Sequence, residues 1–69
     1  MTDEPGRLSR REREIIRLIV LGLSNREIGR LLMLSENTIK IHVAHIFAKI
    51  HCTARAQAAA EAIRMGLAS

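Results

Sequence analysis

Aromatic side chains are nearly absent from this chain: one Phe, no Tyr and no Trp among 69 residues. Single-strand readers that stack bases on rings need several aromatics, so platforms of that kind are excluded, and the core has to be aliphatic around Phe47. Cys52 is the single cysteine. No intramolecular disulfide and no cysteine-rich zinc site can form, which fits a reducing compartment and a cytoplasmic location. No unbroken apolar run exceeds that of LIVL (Leu18 to Leu21), far too short to cross a bilayer. The opening MTDEPGR is acidic and polar. It lacks the apolar centre of a secretory signal and reads as a flexible arm over residues 1–7, ahead of a domain over 8–69.

What is present is aliphatic and basic. Hydrophobic residues make up 48% of the chain, enough to fold and too much for a disordered tail. Sixty-nine residues allow one domain at most, marginal unless helices pack tightly or a partner helps. The formal net charge is +4 and the pI about 10.7. A basic small domain points to an anionic partner, nucleic acid or anionic membrane, although solubility alone would account for the charge.

Serines set the register. Ser9 is followed three residues later by Glu12, and Ser24 by Glu27. At that spacing the serine oxygen accepts the third helical N–H, and the glutamate reaches back to the serine N–H. Ser35 offers a third cap without the returning glutamate. Leu23 with Ile28, and Leu34 with Ile39, bracket the second and third caps as hydrophobic staples. A first helix is expected over 10–21, with Ile15, Ile16, Leu18 and Ile19 inward, Arg10, Arg13, Glu14 and Arg17 outward, and Gly22 as its left-handed stop. A short second helix is expected over 25–32, with Ile28, Leu31 and Leu32 inward. Gly29 in its middle costs about 1 kcal/mol against Ala and predicts close approach by another helix. The segment from Met33 to Ser35 forms a tight turn. Thr53 is placed to cap a fourth helix over 54–65, with Ala56, Ala59, Ala60, Ile63 and Leu67 inward and Ala58, Ala62 and Met65 as an exposed apolar strip. No segment alternates as a strand does. The fold class expected is all-α, a four-helix bundle.

The third helix, over 36–50, is the most informative. Ile39, Val43, Ile46, Phe47 and Ile50 share one face. The opposite face carries Asn37, Ile41, Ala44, His45 and Ala48, with Lys40 at its edge. A solvated face would hold Glu, Lys and Gln; this one is slim and mildly polar, shaped to enter something narrow. A short helix, a tight turn and a longer helix make a helix-turn-helix.

The residues go further than the pattern. LSRREREII, GLSNREI and LSENTIKIHV together resemble the DNA-binding domain of LuxR-type (GerE-like) transcription regulators, and ARAQAAAEA lies where that family has its fourth helix. The resemblance runs from about Leu8 to Leu67. It implies a four-helix bundle with the third helix in the major groove and the fourth often used for dimer contact. By position, Lys40 and Ile41 match residues that reach bases. Thr38, Ser24, Asn25 and Arg26 match positions near the phosphates. Ala44 stands where many members have a Lys or another polar reader. His51 stands where Gly is common, which implies a strained turn after the third helix.

Physical chemistry supports these roles from the side chains alone. Lysine donates to guanine O6 and N7 or to phosphate, and an aliphatic chain packs on a thymine methyl. Helix N-termini offer free N–H groups to phosphates. Arg10, Arg11, Arg13, Arg17, Arg26 and Arg30 can neutralise backbone charge, Arg26 and Arg30 being favoured and the first-helix arginines better placed to pair with Glu14. The expectation is therefore sequence-specific binding of double-stranded DNA as a homodimer on paired half-sites. Lys40, Ile41, Asn37, His45 and Ala44 meet bases. Thr38, Ser24, Asn25, Arg26, Arg30 and Lys49 meet phosphates. Ala58, Ala62 and Met65 meet the second protomer. RNA polymerase is the further partner such a regulator implies.

Other readings weigh less. His42 and His45, three apart on one helix side, tempt a metal reading, but Lys49 on the same flank would repel a cation, and His51 with Cys52 lacks zinc-site spacing. His42 reads as a boundary residue and Cys52 as a small apolar plug. No Gly-rich phosphate loop and no titratable pair in a pocket supports catalysis, so no enzyme, cofactor, membrane contact or small-molecule ligand is expected. The rival reading is a small helical adaptor whose slim face docks on another protein without DNA.

Overall fold

Each predicted serine begins a helix in the computed structural model, which describes residues 7–67. Helix α1 spans Arg10–Val20, α2 Asn25–Leu32, α3 Glu36–Lys49 and α4 Arg55–Arg64. No strand occurs among the described residues. The arm expected over 1–7 lies outside them except for Arg7, which is exposed. Both capping boxes are complete. Ser9 Oγ accepts the Glu12 N–H at 3.1 Å while the Ser9 N–H donates to Glu12 Oε1 at 2.8 Å, and Ser24 and Glu27 repeat the pair at the same distances. Ser35 Oγ accepts the Thr38 N–H at 3.0 Å. The fourth helix differs: its N-cap is Ala54, with no side-chain cap. The Thr53 backbone N–H instead donates to Gln57 Oε1 at 3.2 Å.

All four helices stop by one device. A residue one or two past the helix-end cap donates its N–H five residues back: Leu23 to the Leu18 carbonyl, Leu34 to Gly29, Cys52 to Phe47 and Leu67 to Ala62. This geometry requires a left-handed residue just before the donor. Gly22 and Gly66 supply it at two ends, Met33 (φ 59°) and His51 (φ 57°) at the other two. A side chain in that region costs roughly 1–2 kcal/mol. The two strained residues therefore flank α3, and the strain expected at His51 is present.

Ile15, Ile16, Ile28, Ile39 and Ile46 are the largest fully buried side chains. Each buries apolar area worth about 1.5–3 kcal/mol, and together they form the centre of the core. Helix α1 packs on α3 and on α4, and α2 packs on α3. Leu23 and Leu34 pack against this core as the staple pattern predicts. Gly29 is buried, and a Cβ built there would stand 2.7 Å from the Leu34 carbonyl oxygen. The close approach is thus made by the turn backbone leading into α3. Leu31, expected inward, is 60% exposed. The buried sector of α2 runs from Ile28 through Leu32 to Gly29, and Leu31 lies about 60° outside it at helical spacing.

Helix α4 is rotated from its expected phase. Ala58 and Ala62 are fully buried in the core, while Ile63 is 62% exposed and Ala56 and Ala60 are also exposed. Ala59 and Leu67 are half-buried, as their inward placement required. Small side chains at 58 and 62 let α4 lie close on α1, as close packing of the interior requires. Ala58 and Ala62 therefore cannot meet a second protomer; of the predicted strip only Met65 is exposed.

Candidate nucleic-acid interface

Capping fixes where α2 and α3 begin, and Gly29 fixes how closely they meet. What these constraints leave outward is one side of α3. Asn37, Lys40, Ile41, Ala44, His45 and Ala48 are all exposed, with Ile41 at 52%. The inner side holds Ile39, Val43, Ile46 and the helix cap Ile50, with Phe47 and His42 half-buried at its margins. All five expected base-contacting residues thus share one exposed face. It carries one cation, one imidazole, one amide and short apolar groups, and its slimness lets a cylinder of helix approach a concave surface.

The expected phosphate contacts divide. Arg26 and Arg30 are exposed on α2. Ser24 is exposed, its oxygen engaged by the Glu27 N–H, and its hydroxyl can still donate outward. The hydrogen bonds from Ser24 to Glu27 hold that carboxylate below its usual pKa range, so the cap is intact at neutral pH. Thr38 is half-buried and its Oγ1 accepts from Ser35 Oγ at 2.8 Å. Asn25 is half-buried, with Oδ1 accepting from Arg55 at 2.6 Å.

Lys49 leaves the set. Its Nζ lies 2.8 Å from Glu12 Oε1 and donates to the Arg7 carbonyl at 3.1 Å. Glu12 is buried. Burial acts to raise its pKa, but the Lys49 and Ser9 hydrogen bonds outweigh this and hold it below the ordinary value. An ammonium committed to a buried carboxylate is not available to a phosphate. It ties the end of α3 to the start of α1, and sits at the helix C-terminus where a cation is favoured.

Two residues of this region escape sequence reasoning. Glu12 reads as a cap, and nothing in its spacing shows that Lys49 closes over it. Arg55 carried a signal that could have found it: a cation in the first turn of a helix opposes the helix dipole, so it has to be held elsewhere. Its guanidinium donates to Asn25 Oδ1 and to the Leu23 carbonyl, both at 2.6 Å, and burial draws its pKa down from the ordinary value. Cys52 is buried as expected, with Sγ 3.6 Å from the Ile50 carbonyl. Among the described residues no group of three or more His, Cys, Asp or Glu side chains could hold a metal ion, and no helix is long and apolar enough to cross a membrane.

Residues 6–62 match the family described as bacterial regulatory proteins, luxR family. The chain is 46% identical over 59 residues to the transcriptional regulatory protein DegU of Brevibacillus brevis, covering 86% of this chain and 25% of DegU. Its structure is similar to that of the transcription factor GerE, with a TM-score of 0.79 and 37% identity over 87% of this chain and 90% of GerE. It is also similar to the response regulator ChrA of a heme-sensing two-component system, with a TM-score of 0.86 and 36% identity over 97% of this chain and 32% of ChrA. The curated relatives it matches are longer proteins, of which it spans 7% to 28%.

Proposed function

Because the chain belongs to the luxR family of bacterial regulatory proteins, we propose that it binds double-stranded DNA by laying the exposed face of α3 in the major groove. The observation that carries this is the face itself: an isoleucine 52% exposed beside Lys40, Ala44 and His45, on a helix whose other side is core. Ile41 is exposed in the free protein and would be covered by the groove wall, where an aliphatic group can meet a thymine methyl. Lys40 and Asn37 supply donors to base edges, His45 a further polar contact, and Ala44 the clearance. Arg26, Arg30, Ser24, Asn25 and Thr38 hold the phosphates, helped by the N–H groups at the start of α2. Two protomers on paired half-sites would add affinity that one small domain lacks. On α4 the surface available for that pairing is Ala56, Ala60 and Ile63, spaced along one side, in place of Ala58 and Ala62. The setting is a cytoplasmic transcription regulator working with RNA polymerase. Residues 8–69 form the DNA-binding unit, and no step calls for catalysis or a cofactor.

Titration of a fluorescent duplex at several salt concentrations tests the reading. Affinity should fall log-linearly and steeply with salt as phosphate counterions are released. A protein-docking adaptor would leave the duplex unbound and respond little to salt. On a duplex carrying a site selected by the protein from random DNA, Lys40→Ala should cost about 1–3 kcal/mol if the lysine pairs with a guanine. Equal loss on every duplex would make Lys40 a phosphate contact.

A further inference from the structure

We infer that Arg55 is a positioning residue for phosphate binding, which sets the orientation of the Asn25 amide; this rests on the DNA-binding reading above. Arg55 opens α4, yet its side chain leaves that helix and bridges to the other side of the bundle. One guanidinium nitrogen donates to Asn25 Oδ1 and the other to the Leu23 carbonyl, each at 2.6 Å. Leu23 and Asn25 stand on either side of Ser24, the N-cap of α2. The guanidinium therefore grips the chain immediately before and after the cap. The major helix packing joins α1 to α3 and α4, and α2 to α3; this polar bridge adds a direct tie from α4 to the start of α2.

Chemistry dictates what the bridge does to Asn25. A guanidinium only donates, so the amide must turn its oxygen toward Arg55 and its two N–H groups away. That nitrogen is not among buried polar atoms left without a partner, of which the described residues have none; Asn25 is half-buried and its neighbour Arg26 exposed. Phosphate oxygens only accept. With the amide held this way the outward group is a donor and suits them. Reversed, it would present an oxygen to an anion. Arg55 thus acts on the phosphate through Asn25 without touching it, and it links α4, the helix available for pairing protomers, to the end of α2 that faces the backbone.

Lysine at 55 keeps the charge and loses the planar pair of donors. Arg55→Lys is expected to stay helical and to lose about tenfold in affinity on specific and unrelated duplexes alike, the loss of roughly one hydrogen bond. In an Asn25→Ala background the same change should add little, because its effect runs through that amide. Asn25→Asp keeps an acceptor for Arg55 and so keeps the fold, but removes the outward donor; it should also bind every duplex more weakly. Affinity in folded Arg55→Lys equal to the parent, full additivity with Asn25→Ala, or unimpaired binding by Asn25→Asp would each overturn the inference. A parent protein that binds no duplex would remove the function itself, and this role with it.

Discussion

Replacing Ala58 by glutamate is expected to unfold the protein outright. Ala58 has no exposed surface in the packed structure and lies with Ala62 in the core, on the side of α4 that meets α1. A carboxylate there loses its water and finds no cation: the nearby positive charges of α1 point outward, and Arg55 is held by Asn25 and Leu23. Burying an uncompensated charge costs several kcal/mol even after relaxation, and the added volume strains the packing besides. A 69-residue chain has roughly 3–10 kcal/mol of total stability at typical per-residue values, so the penalty consumes most or all of it. Circular dichroism should show loss of helix and of a cooperative thermal transition. Ile63→Glu, on the exposed side of the same helix, should retain both while weakening cooperative binding to two half-sites. A folded Ala58→Glu protein would show that α4 does not pack as described.

Gly29→Ala should destabilise the protein although alanine is the better helix former by about 1 kcal/mol. The new methyl would stand 2.7 Å from the Leu34 carbonyl oxygen, with Glu36 N at 3.5 Å and Ile39 Cγ1 at 3.6 Å. The turn has little room to retreat, because the Leu34 N–H is bonded to the Gly29 carbonyl at 2.8 Å. Relief requires opening that bond or tilting α3 away from α2. Overpacking of this kind costs about 1–3 kcal/mol, so a net loss is expected in chemical denaturation. The tilt carries a second consequence. The faces that meet phosphate and base belong to α2 and α3 separately, and a changed angle prevents both from docking at once. Affinity for the selected site should therefore fall more than stability does. A protein stabilised by the substitution would mean that the turn yields freely.

The contrast between α3 and α4 shows what kind of information a sequence carries. On α3, bulky Ile39, Val43 and Ile46 alternate with small or polar groups, so the burial phase is legible and the exposed face follows from it. On α4 five of the ten residues are alanine. With no contrast in size the phase has nothing to lock onto, and the bulkiest apolar residue, Ile63, drew the expected core to the wrong side. Leu31 misled in the same manner: the mark of the contact side was the absence of a side chain at Gly29. Capping is local chemistry within four residues, and the serine caps were legible for that reason. Lys49 with Glu12, 37 residues apart, and Arg55 with Asn25, 30 apart, depend on how the helices meet, which spacing along the chain does not encode.

Amide chemical shifts followed while a selected duplex is titrated into the labelled protein test the central claim most directly. Docking of α3 in the groove predicts that the largest changes fall on Asn37, Lys40, Ile41, Ala44 and His45, with a second set at the start of α2 around Ser24 to Arg26, while buried Ile15 and Ala62 move little. Changes confined to the arginine side of α1 or to α4, with residues 37–45 undisturbed at saturation, would contradict it.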